Sequence, residues 1–182
     1  MISLLAVQAI CNSKDPAIEL VYPFLSDTME KYGIDTPLRE AMFIAQGAYE
    51  SAGFRVLEEG ASGQAYENRQ DLGNTQPGDG VKFKGRGVFQ LTGRKNYAKF
   101  SAVFFGNDLL LEWPERLTEP ELAAQSAGWF WNQRGLNKAA DEGDMIASTS
   151  RINGAATAGP PCWLDRRVAL YKRALFALGV QG

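Results

Sequence analysis

The chain has 182 residues, a length that fits a single domain spanning 1–182. Hydrophobic residues make up 45% of it and the formal net charge is −2. The composition therefore supports a packed core and excludes the broad basic surface of a nucleic-acid-binding protein. There is no histidine, which excludes Ser-His, Cys-His and His-ligated metal sites and leaves acid–base chemistry near neutral pH to carboxylates, Lys, Tyr or Cys.

The first third of the chain carries helix signals. The first 35 residues are expected to be helical, with Asp15-Pro16 as an N-cap and first-turn pair and Gly33 as a stop. Thr36-Pro37 starts the next helix in the same way, and Gly53 ends it. The apolar face of that helix contains Leu38, Ala41, Met42, Ala45 and Tyr49. This spacing predicts that Glu50 lies in the last helical turn.

The middle of the chain loses helical periodicity. Between 55 and 80 the residues are typical of turns, with frequent Gly, Asn and Pro. An ordered loop of this length in a compact domain is usually functional. Residues 81–92 predict two short strands around Gly85-Arg86-Gly87, which would form a small hairpin lobe.

Helix patterns return after this segment, over 96–105, from 120 to a stop at Gly135, over 144–152 and over 163–178. The sequence thus predicts a mainly α (α+β) fold, with a helical domain and a small β-hairpin lobe flanking a substrate cleft.

Neither membrane insertion nor a disulfide framework is predicted. The apolar N-terminus lacks a basic segment, so we interpret it as a first helix rather than a signal peptide. No apolar stretch approaches the roughly 20 residues that span a membrane. Cys11 and Cys162 are too few for a disulfide scaffold and have no zinc-binding spacing.

Two carboxylates stand out in this frame. Glu50 follows an apolar helix face, and Glu59 lies in a loop rich in small residues. Two carboxyl groups in different environments suit glycosidic bond cleavage, in which one acts as an acid and the other as a base. The residue pattern alone is also compatible with solvated glutamates, and Glu58 and Glu67 are further loop carboxylates.

A resemblance sharpens this interpretation. Three blocks lie between residues 45 and 97: AQGAYESAGF, AYENRQDLGNTQPGDG and KGRGVFQLTGRKNY. They resemble glycoside hydrolase family 19, and more narrowly its compact phage endolysin and bacterial chitinase-like branch in the lysozyme-like superfamily. That branch has AQ-x-x-HES-x-GF, AYEGR-x-DLGNTQPGDG and RGRGLIQLTGR-x-NY. SRINGA at 150–155 and DRRVALYKR at 165–173 resemble its INGG and DR-x-x-FYKR motifs.

The resemblance implies roles for particular residues. Glu50 would be the general acid, Glu59 the general base, and Thr92 would help hold the attacking water. Substrate-binding or orienting residues would be Tyr49, Arg86, Gln90, Asn96, Asn153 and Arg167, the last of which would orient or tune the carboxylates. An inverting single displacement would place the two carboxyl groups about 6.5–9.5 Å apart, with room for water. No metal or organic cofactor is implied.

The sequence departs from the family pattern in three ways. Tyr49 replaces a histidine before the acid, and Asn68 replaces a glycine, which suggests a different loop path. The disulfides of plant chitinases are absent.

Three functions remain open at this point. The first is an endolysin-type muramidase that cleaves between N-acetylmuramic acid and N-acetylglucosamine in bacterial peptidoglycan. It would act as a monomer, made in a host bacterial cytoplasm and reaching the wall after release. The second is a chitinase acting on a chitin-like glycan, and the third a catalytically silent wall-binding module.

Overall fold

The structure is a computed structural model that describes residues 1–153 and 164–180. Over these residues it is built from α-helices and short 3₁₀ turns. The helices are Leu4–Cys11 (α1), Pro16–Lys31 (α2), Pro37–Glu50 (α3), Asp79–Lys82 (α4), Arg94–Phe105 (α5), Leu109–Glu112 (α6), Pro120–Gln133 (α7), Leu136–Asp141 (α8), Met145–Asn153 (α9) and Leu164–Ala177 (α10). The 3₁₀ turns are Gln64–Tyr66, Gln70–Leu72 and Pro114–Thr118.

The predicted helix starts are confirmed by their caps. The side chain of Asp15 accepts a hydrogen bond from the backbone of Ala17, and Thr36 accepts one from Arg39. Each cap precedes a proline in the first turn, where a missing N–H costs no hydrogen bond. The first 35 residues form two helices because α1 ends at Asn12, whose φ of 49° is left-handed.

Helix α3 is the centre of the core. Every residue from 40 to 48 is buried, and the helix packs along α10, while α2 packs along α7. The second pair approaches closely at Gly128, where an added Cβ would lie 2.3 Å from Cγ2 of Thr28. Phe43 on α3 contacts Phe89 edge-on, with ring centroids 5.5 Å apart, which anchors the middle loop to the central helix.

The hairpin predicted over 81–92 is reduced to a tight turn. Helix α4 occupies its start, and the described residues of this segment pair only as isolated bridges, Arg86 with Leu91 and Glu58 with Arg86. The positive φ values of Gly87 and Gln90 turn the chain too sharply for strands to extend. The mainly helical fold is confirmed, but the predicted β-hairpin lobe is a loop held by turns.

Several short elements lie where no helix was predicted. Helices α6 and α8 contain four and six residues, which is too short for a 3.6-residue period to appear in the sequence. Over the described ranges, no helix is both long and apolar enough to cross a membrane. Burial raises the pKa of the half-buried Cys11 thiol to about 11, and Cys162 lies outside the described residues.

Candidate active site

Glu50 is the last residue of α3, and its side chain is 17% exposed. The Nη2 of Arg167 donates a hydrogen bond to its Oε1 at 2.5 Å. Arg167 lies on α10 and its side chain is only 2% exposed. The packing of α10 against α3 therefore creates a largely buried ion pair that fixes the orientation of the Glu50 carboxylate.

Arg167 is held in turn by a buried glutamine. Its Nη1 donates to Oε1 of Gln46, which is one turn before Glu50 and fully buried. The Nε2 of Gln46 donates to Oγ1 of Thr149 on α9 at 2.9 Å. Gln46 thus joins three helices behind the carboxylate. This role of Gln46 was not predicted, although a polar residue inside the apolar run before Glu50 is a signal that the sequence contains.

Two further predicted residues lie against Arg167. The guanidinium carbon is 3.9 Å from the ring centroid of Tyr49, a cation–π contact that covers the ion pair. Asn153 accepts a hydrogen bond from Nη2 of Arg167 at 3.4 Å through its Oδ1. Arg167 is therefore held between Glu50 and Asn153 and is itself too buried to face a ligand.

The chain reverses directly after Glu50 in a strained turn. Ala52, Gly53 and Phe54 have φ values of 51°, 75° and 64°, and the left-handed region is unfavourable for alanine and phenylalanine. The turn is secured by Ser51, whose Oγ donates to the carbonyl of Gly47 at 2.6 Å and accepts from the backbone of Phe54 at 3.0 Å. The Phe54 ring is fully buried, which locks the end of the helix.

Glu59 is held by the loop itself. Its Oε1 accepts from the backbone N–H of Gly85 at 2.7 Å and its Oε2 accepts from the Tyr66 hydroxyl at 3.0 Å. Burial raises the pKa of Tyr66, and its bond to Glu59 adds to that rise. An added Cβ on Gly85 would lie 3.3 Å from Oγ1 of Thr92. The Glu59 carboxylate and the Thr92 hydroxyl therefore both lie next to Gly85.

The other loop carboxylates have structural partners. Glu58 forms ion pairs with Lys84 at 2.6 Å and Arg86 at 3.4 Å. The hydrogen bond from Lys84 is the main cause that lowers the pKa of Glu58. Glu67 accepts from the backbone N–H groups of Gly78 and Gly80 at 2.7 and 2.8 Å, so it clamps the loop. Among these carboxylates Glu59 has the arrangement that best suits a base near a hydroxyl.

Arg86 lies away from the cleft. It is 7% exposed, and its Nη1 donates to the carbonyl of Lys82 at 2.9 Å and to the Tyr97 hydroxyl at 3.1 Å. With Glu58 on its Nε side, the guanidinium is surrounded by the protein. The structure thus gives Arg86 a place in holding the loop and does not bring it to a position where it would contact a glycan.

The loop that carries Glu59 is fixed to α5 by a second ion pair. Asp79 is 1% exposed and accepts from the backbone of Thr75 and Gln76, both at 3.0 Å. Arg94 donates to both of its carboxylate oxygens, at 2.6 and 2.8 Å. These hydrogen bonds hold the pKa of Asp79 below its ordinary value, and the bond from Arg94 contributes most.

The position of Asn68 does not require a different loop path. Its φ is 58°, a conformation that glycine adopts easily and that asparagine tolerates better than most residues. Asn68 therefore occupies a backbone conformation that a glycine at this position could also adopt.

Four of the predicted glycan-contacting or water-holding residues line one cavity of about 390 Å³. These are Gln90, Thr92, Asn96 and Asn153. The lining also includes the largely buried Phe89 and Phe130. The cavity therefore combines polar side chains and aromatic rings, which is the composition of a ligand-binding cleft.

Glu50 and Tyr49 line a second cavity of about 520 Å³, together with Arg166 and Arg173 of α10. Asn153 connects the two, because it lines the first cavity and bonds to the arginine that holds Glu50. Glu59 is not among the lining residues of either cavity. Within the described residues, no cluster of carboxylate and thiol groups could hold a metal ion.

Comparison with known proteins identifies the class of fold first. Chitinase C from Streptomyces griseus superposes with a TM-score of 0.79, covering 99% of this chain and 93% of that one at 20% identity. A bacterial family 19 chitinase gives a TM-score of 0.75 at 22% identity, covering 99% of this chain and 96% of the other. The class IV chitinase of Zea mays gives 0.73 at 20% identity, covering 96% and 91%. The described fold is therefore the lysozyme-like fold of family 19 chitinases.

Sequence relatives then give the family. A glycosyl hydrolase family 19 domain-containing protein of Haemophilus influenzae is 28% identical over 86% of this chain and 88% of its own length. Two endochitinases of Arabidopsis thaliana are 34% and 33% identical over 77% of this chain. The chain spans about half of their length, 48% in each case. No family model matches the chain. The chain belongs to glycoside hydrolase family 19.

Proposed function

We propose that the protein hydrolyses β-1,4 bonds in a glycan that contains N-acetylglucosamine, by a single displacement that inverts the anomeric carbon. Glu50 enters the step as the carboxylic acid and donates its proton to the leaving oxygen, and Arg167 stabilises the carboxylate that remains. Glu59 takes a proton from the attacking water, beside the Thr92 hydroxyl. The observation that carries this proposal is the Glu50–Arg167 pair at 2.5 Å beside a cleft that gathers Gln90, Thr92, Asn96 and Asn153.

The mechanism needs two carboxyl groups in different environments, and Glu50 and Glu59 are held by different kinds of partner. Arg167 orients Glu50 from a buried position, so the acid points in one direction before a ligand arrives. Glu59 is held by one backbone N–H and one hydroxyl. Both groups sit on preformed structure, which limits the reorganisation that the reaction requires.

Chitin is the first substrate to test. The relatives from Arabidopsis thaliana are named endochitinases, and the superposed structures are named chitinases. Peptidoglycan, which the sequence analysis placed first, shares the N-acetylglucosamine unit and is the second candidate. The observation that favours it is the positive charge contributed by Lys95, Lys99 and Arg134 to the groove that includes Thr92 and Asn96.

The test is hydrolysis of chitin hexamer and of purified sacculi by the wild-type protein and by Glu50→Gln. We expect the wild type to release new reducing ends and the variant to release none. NMR should show that the product first formed has the inverted anomeric configuration. Glu112→Gln, a change at an exposed residue outside the site, is the matched control and should behave as wild type. Folded wild-type protein that binds either glycan without releasing product would refute hydrolysis and favour the silent binding module.

A further inference from the structure

The first cavity continues into a groove with a cationic wall. A neighbouring cavity of about 380 Å³ shares Asp71, Leu72, Asn96, Phe130 and Arg134 with it. This neighbouring cavity adds Lys95 and Lys99 of α5 and Gln133 of α7. The two cavities therefore form one groove between the start of α5 and the end of α7.

The groove is positively charged although the chain as a whole has a net charge of −2. Its lining contains Arg69, Lys95, Lys99 and Arg134, and among the described lining residues the single carboxylate is Asp71. Arg69 donates to both oxygens of Asp71 at 2.8 and 2.7 Å, so these two charges neutralise each other. Three cationic side chains remain without a carboxylate in the groove.

These three side chains are placed by the fold rather than by ion pairs. Lys95 and Lys99 are exposed and one turn apart on α5, so they lie on the same face. An added Cβ on Gly73 would lie 2.7 Å from Cβ of Lys95, which shows how closely the loop packs on the base of that lysine. The guanidinium of Arg134 stacks on Phe130 at 4.8 Å and donates to the carbonyl of Arg151 at 3.0 Å.

A buried tryptophan lies against the same groove. Trp129 is 5% exposed and lines the neighbouring cavity of about 380 Å³, and within the described ranges its buried Nε1 has no hydrogen-bond acceptor. Buried indole N–H groups usually have an acceptor. An anionic ligand in the groove would be complementary to the three cationic side chains, Lys95, Lys99 and Arg134.

Resting on the proposed hydrolysis of an N-acetylglucosamine glycan, we infer that this groove selects a glycan that carries carboxylate substituents. The chemistry matches peptidoglycan, whose lactyl-peptide groups project carboxylates from the sugar backbone, whereas chitin is neutral. Lys95, Lys99 and Arg134 contact those carboxylates while Asn96 and Thr92 face the sugar chain. The lysines thus act as specificity residues outside the catalytic pair.

The inference is tested by calorimetric titration of the Glu50→Gln protein, which we expect to bind glycan without hydrolysing it. The two probes are chitotetraose and a peptidoglycan tetrasaccharide with intact stem peptides. The Lys95→Gln/Lys99→Gln variant should lower affinity for the anionic tetrasaccharide about three- to tenfold, as two exposed ion pairs would, and so reduce its preference over chitotetraose. The loss should shrink as salt is raised above about 0.1 M, where the Debye length is about 10 Å.

The matched control is Lys138→Gln/Lys172→Gln, which removes the same charge from exposed positions that line neither cavity. Its affinities should stay at the parent values. An equal loss for both probes, or no loss for the anionic one, would overturn the inference. Circular dichroism of each variant separates misfolding from a change in recognition.

A parallel activity assay separates this inference from the proposed function. If the wild type cleaves neither glycan but the lysine-dependent preference persists, the hydrolase proposal fails and the groove assignment stands. If the wild type cleaves both and Lys95→Gln/Lys99→Gln leaves the ratio of kcat/KM on sacculi and chitin unchanged, the groove assignment fails alone.

Discussion

Glu50 and Glu59 lie on two regions that are held in place by different interactions. The Glu50 region is made of helices, and its carboxylate is fixed by a side chain 117 residues away in the sequence. The Glu59 region is a loop between α3 and α5, and its carboxylate is fixed by the backbone of Gly85 and the hydroxyl of Tyr66. Charged side chains from distant helices position the first group, and local turns position the second.

The difference shows how one chain can hold two like groups in unlike environments. A buried arginine fork fixes direction because it is planar and tightly packed. A loop fixes the direction of a side chain only if the backbone of the loop is itself held in place. Here Glu67 accepts hydrogen bonds from the backbone of Gly78 and Gly80. Asp79 accepts them from the backbone of Thr75 and Gln76. Changes in the helical region should therefore affect the acid, and changes in the loop should affect the base and the stability of its support.

The largest expected effect is the loss of kcat when either Glu50 or Glu59 is replaced. Glu50→Gln and Glu59→Gln should each lower kcat on the cleaved glycan by about a thousandfold, within the range for a general acid or base. Glu58→Gln is the neighbouring control and should lose far less, because its partners are Lys84 and Arg86. Steady-state kinetics on chitin hexamer and sacculi measures this. A larger loss of kcat in Glu58→Gln than in Glu59→Gln would assign the role of general base to Glu58.

The second prediction concerns the support of the loop. Asp79→Asn should lower the free energy of unfolding by about 3 kcal/mol, because it leaves Arg94 without its buried partner. Chemical denaturation measures the loss, and Asp141→Asn, at an exposed ion pair with Arg39, should cost clearly less.

The same substitution has a defined pH dependence. The pKa of Asp79 is lower in the folded protein than in the unfolded chain. Its contribution to stability is therefore fully present above the unfolded value of about 3.9 and is lost as pH falls through the folded pKa. The difference between wild type and Asp79→Asn should be constant near neutrality and should narrow below about pH 4. A difference that widened in acid would contradict the assigned ion pair.

The third prediction tests the helical region. Arg167→Lys keeps the charge but cannot bond to Gln46 and Glu50 with one planar group. We expect kcat to fall about thirtyfold with little change in KM, since a misplaced acid weakens the transition state more than binding. Gln46→Leu should shift kcat in the same direction, while Arg116→Lys, at an exposed ion pair with Glu119, should not. A rise in KM alone would instead make Arg167 a ligand contact.

The smallest expected effect is on the loop side. Tyr66→Phe removes the hydroxyl that donates to Glu59 at 3.0 Å and should lower kcat about fivefold, which corresponds to roughly 1 kcal/mol. Tyr22→Phe, which removes a hydroxyl bonded to the carbonyl of Ile2 far along the chain from the site, is the matched control. Equal losses in both variants would show that the Tyr66 hydroxyl contributes to general stability rather than to the base.

The sequence determined much of the helical framework and the identity of the family. Asp15-Pro16 and Thr36-Pro37 start helices because their capping chemistry is local, and Glu50 ends α3 as its spacing predicted. The three motif blocks between 45 and 97 were sufficient to indicate glycoside hydrolase family 19, which the sequence relatives support.

Only the tertiary structure decided how the site is held. The bond of Arg167 to Gln46 and Glu50 depends on the packing of α10 against α3, and no local pattern encodes a contact across more than a hundred residues. The strands expected around Arg86 are replaced by a turn because Gly87 and Gln90 adopt positive φ values that do not allow the strands to extend. The cationic groove likewise joins α5 to α7, so its charge appears only when the chain is folded, while the overall charge of −2 conceals it.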